Sequence, residues 1–276
     1  MSITEHNFKS FDGLDLYAVQ WSSTGQSEAV IAFVHGHGDH CRRYDEWFSI
    51  LTARNISVLA FDYRGHGRSQ GRRGVIGRFS DLLQDVAILH EKAKELSPGI
   101  PVVLFGHSLG ATIVLSYILR SLSLPELAIA ISPWLRLKNP PGKCSAALIK
   151  TGNMIAPFFT FRTGLHSSDF SSLDGFSGKR ENDLLVHNRI SSRLYSEVEK
   201  EVKWIMAHFS AIETPLLLMQ GRDDRIMDRT AARQLYDSSP GQVNYLEWKN
   251  AGHQLHNSER SNEVLDFITD WINKGI

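Results

Sequence analysis

Short runs of β-branched and apolar residues alternate along this chain with stretches whose apolar residues recur every three or four positions. Residues 14–21, 29–34, 56–61, 101–105, 127–131, 215–219 and 243–248 read as strands, each closed by a glycine or a polar cluster. Residues 44–54, 79–96, 111–122, 230–237 and 261–273 carry the helical spacing. This alternation predicts an α/β fold with a mainly parallel sheet of about seven to eight strands and helices on both faces. The first two strands, 14–21 and 29–34, are close enough in sequence to pair with each other. One interval breaks the rhythm: residues 133–213 hold no convincing buried strand, although a crossover needs only a dozen or so residues. The expected organisation is a core of residues 1–132 and 214–276 interrupted by a helical cap over 133–213. Within the cap, residues 146–161 are a mixed apolar run, 167–177 a Ser/Asp/Gly-rich loop and 191–207 a charged helical pattern.

Composition narrows the function classes. A chain of 276 residues with 42% apolar content can bury a sizeable core without metals or disulfides. Thirty basic side chains balance thirty acidic ones, so no global field draws the protein to nucleic acid or to an anionic membrane, although local patches remain open. Two cysteines, Cys41 and Cys144, form no disulfide framework, and no basic-then-apolar leader opens the chain. The expectation is a reduced, cytoplasmic protein. No apolar run approaches the roughly 20 residues of a spanning helix. Twelve histidines stand out, several beside glycines.

Candidate chemistry lies at the ends of the expected strands. Gly106-His107-Ser108-Leu109-Gly110 fits Gly-x-Ser-x-Gly and falls between a strand pattern and a helix pattern, the context of a nucleophile elbow. The helix behind Ser108 aims its positive end at developing negative charge. A serine hydroxyl needs a base, and the base needs an orienting carboxylate. Past residues 215–219 come Asp223 and Asp224; past residues 243–248 come His253 and His256. Ser, Asp, His is the chain order of α/β-hydrolases, but spacing leaves both doublets open. Upstream, His35-Gly36-His37-Gly38-Asp39-His40 follows a strand, where such enzymes place the second oxyanion donor. The backbone N–H groups of His37 and Leu109 are the expected pair.

Taken together, these motifs resemble the monoacylglycerol lipase and lysophospholipase branch of the α/β-hydrolase superfamily. His35-Gly36-x-Gly38-Asp39-His40 looks like its oxyanion loop, and Asp62-Tyr63-Arg64-Gly65-His66-Gly67-Arg68-Ser69 like its glycine-rich turn. Gln220-Gly221-Arg222-Asp223-Asp224-Arg225-Ile226 resembles its acid loop and His253-Gln254-Leu255-His256 its last motif. The resemblance implies Asp224 and His253 as partners of Ser108, an acyl-enzyme mechanism without metal or organic cofactor, and acyl-lipid esters as substrates. Within the cap it is limited to stretches such as Asp183-Leu184-Leu185-Val186-His187.

Other readings compete. The same triad serves peptidases, thioesterases and acyltransferases, and the fold also serves non-catalytic binding proteins. His35, His37, Asp39 and His40 match His-x-His-x-Asp-His, a metal-ligand pattern that would make a metal-dependent hydrolase but leaves the elbow and Asp224 unexplained. In the cap, Ile155, Phe158, Phe159 and Phe161 are candidates for binding an acyl chain. Their run also fits packing onto the core, or transient contact with a lipid surface.

Overall fold

The computed structural model describes residues 1–276 except 121–122, 172, 174–179 and 240. Its central sheet holds β1 (Ser2–Lys9), β2 (Asp15–Ser22), β3 (Ala29–Val34), β4 (Ile56–Phe61), β5 (Val102–His107), β6 (Leu127–Ile131), β9 (Leu216–Gly221) and β10 (Val243–Trp248). The spatial order is β1-β2-β4-β3-β5-β6-β9-β10. Pairing is parallel from β4 to β10, and the β1–β2 and β2–β4 pairs are antiparallel. Helices α1 (Asp45–Ala53) and α8 (Ser261–Gly275) lie over one face of the sheet, α2 (Phe79–Leu96) and α3 (Leu109–Arg120) over the other; α7 (Arg229–Asp237) follows β9. β3, β4, β5, β6 and β9 are buried at every position. A strand covered on both faces therefore reads as a continuous apolar run.

Several expectations need correction. The strands at 14–21 and 29–34 do not pair: β2 joins β4, because β3 crosses over through α1 and takes the central place between β4 and β5. The sheet also has an edge strand that the pattern did not suggest. β1 is almost wholly exposed, so no burial imposed an apolar alternation on it. Helix α3 starts at Leu109, two residues before its expected start, and the expected end at residue 122 lies outside the described residues.

Between β6 and β9 the described residues form α4 (Lys143–Ile155), β7 (Thr160–Arg162), α5 (Ser167–Phe170), β8 (Arg189–Ser191) and α6 (Ser192–His208). β7 and β8 pair as a short antiparallel ribbon where no strand was expected. Three residues each are too few for a periodic signal. Of the loop expected at 167–177, positions 172 and 174–177 lie outside the described residues. α6 packs on α2 and α3, and its buried Glu201 accepts from Ser116 Oγ at 2.5 Å and pairs with Arg120. α4 buries none of its residues and rests on α6.

Candidate active site

The β5–α3 turn forces Ser108 into the left-handed region, with φ of 56°, where a side chain other than glycine is strained. Close packing around the turn explains its flanking glycines. A Cβ on Gly106 would overlap the Gly110 carbonyl and Ala111, and one on Gly110 the Val34 carbonyl. Two backbone bonds hold the strained residue: Ser108 N–H donates to Ile131 O at 2.9 Å, and Ser108 O accepts from Trp134 N–H at 3.2 Å.

β9 and β10 end beside the same turn. His253 Nε2 lies 2.9 Å from Ser108 Oγ, and His253 Nδ1 lies 2.9 Å from Asp224 Oδ2. An ionised carboxylate only accepts, so the proton of neutral His253 sits on Nδ1 and its Nε2 accepts from the serine hydroxyl. Burial alone would raise the Asp224 pKa. The neighbouring His253 and hydrogen bonds from it, Met227 N–H and Ile226 N–H outweigh burial and hold the carboxyl below its ordinary range. Gln220 Nε2 adds a donor at 2.7 Å to Asp224 Oδ2. The doublets separate physically: Asp223 is exposed, and His256 lies against the rings of Tyr44 and Trp47.

Behind His253 stands a strut that the sequence did not reveal. His107 Nε2 lies 3.2 Å from the His253 carbonyl and its Nδ1 2.9 Å from Tyr44 Oη. A carbonyl only accepts, so Nε2 carries the proton and Nδ1 accepts from the phenol. Burial, with His253 nearby, lowers the His107 pKa to about 3 and keeps this tautomer neutral. His107 sat inside the serine motif, but nothing in its spacing linked it to Tyr44.

The loop after β3 passes beside the turn, with the Gly36 Cβ position 3.1 Å from Ser108 Cβ. His37 therefore follows directly on a residue in contact with Ser108, while Leu109 opens α3, where the first N–H groups have no intrahelical acceptor. The His37 ring turns away and its Nε2 meets the Arg189 carbonyl at 3.0 Å. Burial lowers its pKa to about 3. Gly38, at φ of 72°, accepts from His187 N–H, and a Cβ there would overlap the His187 carbonyl.

The residues of the metal-ligand pattern have other partners. Asp39 pairs with Arg43 at 2.8 Å and Arg180 at 3.7 Å, His40 meets Asp183 at 2.9 Å, and His35 Nδ1 contacts the Gly36 carbonyl. Among the described residues no group of three or more His, Cys, Asp or Glu is arranged to hold a metal ion. Cys41 is buried and Cys144 exposed.

Ser108 and His253 open into a cavity of about 730 Å³, walled by Trp134, Ile149, Phe161, Ile190, Tyr195 and Met227 among others, with Arg180 and Asp183 also on its lining. Of the four apolar residues expected to bind an acyl chain, Phe161 borders this cavity. Ile155, Phe158 and Phe159 do not; they lie exposed on the outer surface. Ser145, Ile149 and Gly152 occupy the inward side of α4, so helical geometry turns Met154 and Ile155 outward.

Residues 25–260 match the family model Hydrolase_4, described as Serine aminopeptidase, S33. The monoglyceride lipase of Homo sapiens is 31% identical, covering 95% of this chain and 88% of that protein. An uncharacterized abhydrolase domain-containing protein of Dictyostelium discoideum is 29% identical across 100% of this chain, which spans 30% of that longer protein. The crystal structure of Paleococcus ferrophilus monoacylglycerol lipase superimposes with a TM-score of 0.85 at 28% identity, covering 95% of this chain and 99% of that one.

Proposed function

The chain belongs to the serine aminopeptidase S33 family of the α/β-hydrolase superfamily, in its monoacylglycerol lipase-like branch, and from that premise we propose that this serine carboxylester hydrolase cleaves monoacylglycerols or lysophospholipids. The observation that carries the reading is the unbroken contact from Asp224 through His253 to Ser108 in a cavity with mixed apolar and polar walls.

In this reading His253 Nε2 takes the Ser108 proton as Oγ attacks the ester carbonyl, and Asp224 stabilises the resulting imidazolium. The negative oxygen of the tetrahedral intermediate rests on the backbone N–H groups of His37 and Leu109. His253 then protonates the departing alcohol, leaving an acyl group on Ser108. Water activated by His253 releases the acid. Residues 133–213 act as a cap: Ile149, Phe161 and Tyr195 hold the acyl chain, and the exposed Ile155, Phe158 and Phe159 give the cap a transient, peripheral hold on a lipid surface. No helix among the described residues is long and apolar enough to cross a membrane.

The test is a fluorophosphonate probe followed by peptide mapping, run beside a panel of lipid esters and an amino-acid amide. The expected result is an adduct on Ser108 in folded protein, with 1-monoacylglycerol or lysophosphatidylcholine turned over fastest. No adduct, or a Ser108→Ala protein hydrolysing these esters at the wild-type rate, overturns the mechanism. Faster cleavage of the amide replaces the lipid reading with a peptidase one.

A further inference from the structure

One cation on the cavity wall is held without acceptors for its N–H groups. Arg162, Arg180 and Arg225 all border the cavity; Arg162 and Arg225 are exposed, whereas Arg180 is only 7% exposed. A guanidinium carries five N–H donors and stays charged. Those of Arg180 make no hydrogen bond to any described residue, and its Nη1, closed off from solvent, stops 3.7 Å short of Asp39 Oδ2. The nearby acids are engaged elsewhere: Asp39 with Arg43 Nε at 2.8 Å, Asp183 with His40 at 2.9 Å, and Asp169 with the His166 N–H. Glu181, also on the wall, is exposed. Burial lowers the Arg180 pKa despite Asp39, as for a cation whose lost water the protein has not replaced.

Phe170, which ends α5, fixes where this cation stands relative to the base. The Phe170 ring meets that of His253 at 69° with centroids 5.9 Å apart, and the Arg180 guanidinium carbon lies 4.1 Å from the Phe170 centroid. A ring contact holds the cation in place but gives its N–H groups no oxygen to donate to. Gln254, next to the base in the chain, reaches Asp39 Oδ2 from Nε2 at 3.4 Å, so the Asp39–Arg180 pair is tied to the same loop. The guanidinium is therefore one aromatic ring away from the group that protonates the departing alcohol. That alcohol must lie on the His253 side of the reacting carbon, which is the side of Arg180. The three carbons of glycerol bridge such a gap between an ester oxygen and a substituent on the far carbon.

We propose that Arg180 is a specificity residue that binds a phosphate on the alcohol portion of the substrate, and so selects an anionic lysophospholipid over an uncharged monoacylglycerol. This use of the cation rests on the ester-hydrolase reading above and narrows its substrate class. A phosphate offers paired oxygens that the guanidinium fork fits, and supplies the charge-assisted hydrogen bonds that Asp39 at 3.7 Å does not. A free glycerol hydroxyl brings no charge, and leaves the buried cation under-compensated.

The test is binding of non-hydrolysable ethers to the full-length Ser108→Ala protein, so that failure of the hydrolysis reading cannot alter it. Dissociation constants are measured by titration calorimetry, below micelle-forming concentrations, for 1-O-decylglycerol, its 3-phosphate and its 3-phosphocholine. The phosphate ether is expected to bind roughly 10- to 100-fold more tightly than the uncharged ether, the worth of a charge-assisted hydrogen-bond pair. Adding Arg180→Gln erases that ratio, and Arg180→Lys keeps part of it, because the charge stays while the bidentate fork goes. In the active enzyme Arg180→Gln raises KM for a lysophosphatidate more than for a monoacylglycerol of the same chain. Equal affinity for the phosphate and uncharged ethers overturns the proposal, as does a phosphate preference that survives Arg180→Gln. Loss of affinity for both ethers alike in Arg180→Gln and Arg180→Lys assigns the residue to the fold and overturns it. Tightest binding of the phosphocholine ether overturns it too, and points to Glu181 reading a cation.

Discussion

Replacing Asp224 by Asn isolates the electrostatic part of the proposed relay, because it changes the charge and one hydrogen-bond role while keeping the shape. In the folded protein Oδ1 accepts from Ile226 N–H at 2.8 Å and Met227 N–H at 2.9 Å, while Oδ2 accepts from His253 Nδ1–H and from Gln220 Nε2. An asparagine oxygen satisfies the two backbone donors only by turning its NH2 toward His253 and Gln220, both of which donate. His253 must then move its proton to Nε2, where it faces Ser108 Oγ and can no longer accept from it. The expected loss in kcat is about 10⁴-fold, close to 5 kcal/mol of transition-state stabilisation. The assay is turnover of a short-chain chromogenic ester, with thermal unfolding to show that the variant folds. Asp223→Asn is the control: that carboxylate is exposed, and the rate should stay near wild type. A loss below tenfold in Asp224→Asn, or a greater loss in Asp223→Asn, refutes the assignment.

Further outcomes follow from the same geometry. Burial lowers the pKa values of His37 and His107 to about 3 and of His187 to about 4, below the usual value near 6.5. The unfolded chain therefore binds more protons between these limits. The stability supplied by the neutral rings is fully present above about pH 6.5 and is lost as pH falls toward the folded values, at roughly 1.4 kcal/mol per pH unit for each ring. Scanning calorimetry should show Tm dropping steeply from pH 6.5 to 5; a flat profile contradicts this. Gly110→Ala drives a Cβ into the Val34 carbonyl and should cost about 3 kcal/mol in chemical unfolding, with loss of activity. A neutral effect would mean that the elbow is not as tight as described. Ile149→Trp fills part of the cavity, so kcat/KM should fall several-fold for long acyl chains and hold for short ones, measured on a chain-length series. His107→Gln removes the strut behind His253 and should depress kcat more than KM, with Tyr44→Phe doing so more mildly.

The strands that carry the site were legible because both their faces are buried, which forces the apolar runs of β3, β4, β5, β6 and β9 into the sequence. The serine turn was legible for a related reason: Gly106 and Gly110 are required by backbone crowding at fixed distances from Ser108, so composition and spacing encode it. The Asp and His doublets were not resolved by spacing. Asp223 and Asp224 are adjacent in sequence, and only the curl of the chain after β9 buries one and exposes the other. The strut from Tyr44 through His107 to the His253 carbonyl joins three segments far apart in the chain, so no local pattern could announce it. The place of β3 between β4 and β5 was likewise a matter of crossover topology, which strand patterns do not contain. In the cap the apolar run at 146–161 fixed only that large side chains would gather there. Tertiary packing decided that Phe161 turns into the cavity while Phe158, Phe159 and Ile155 face outward, because α4 touches the rest of the protein along one narrow side. Local sequence thus determined which chemical groups stand at strand ends, through steric and burial constraints acting over a few residues. Which of those groups meet, and what each faces, depended on contacts between residues 29 to 146 positions apart, which exist only once the chain has folded.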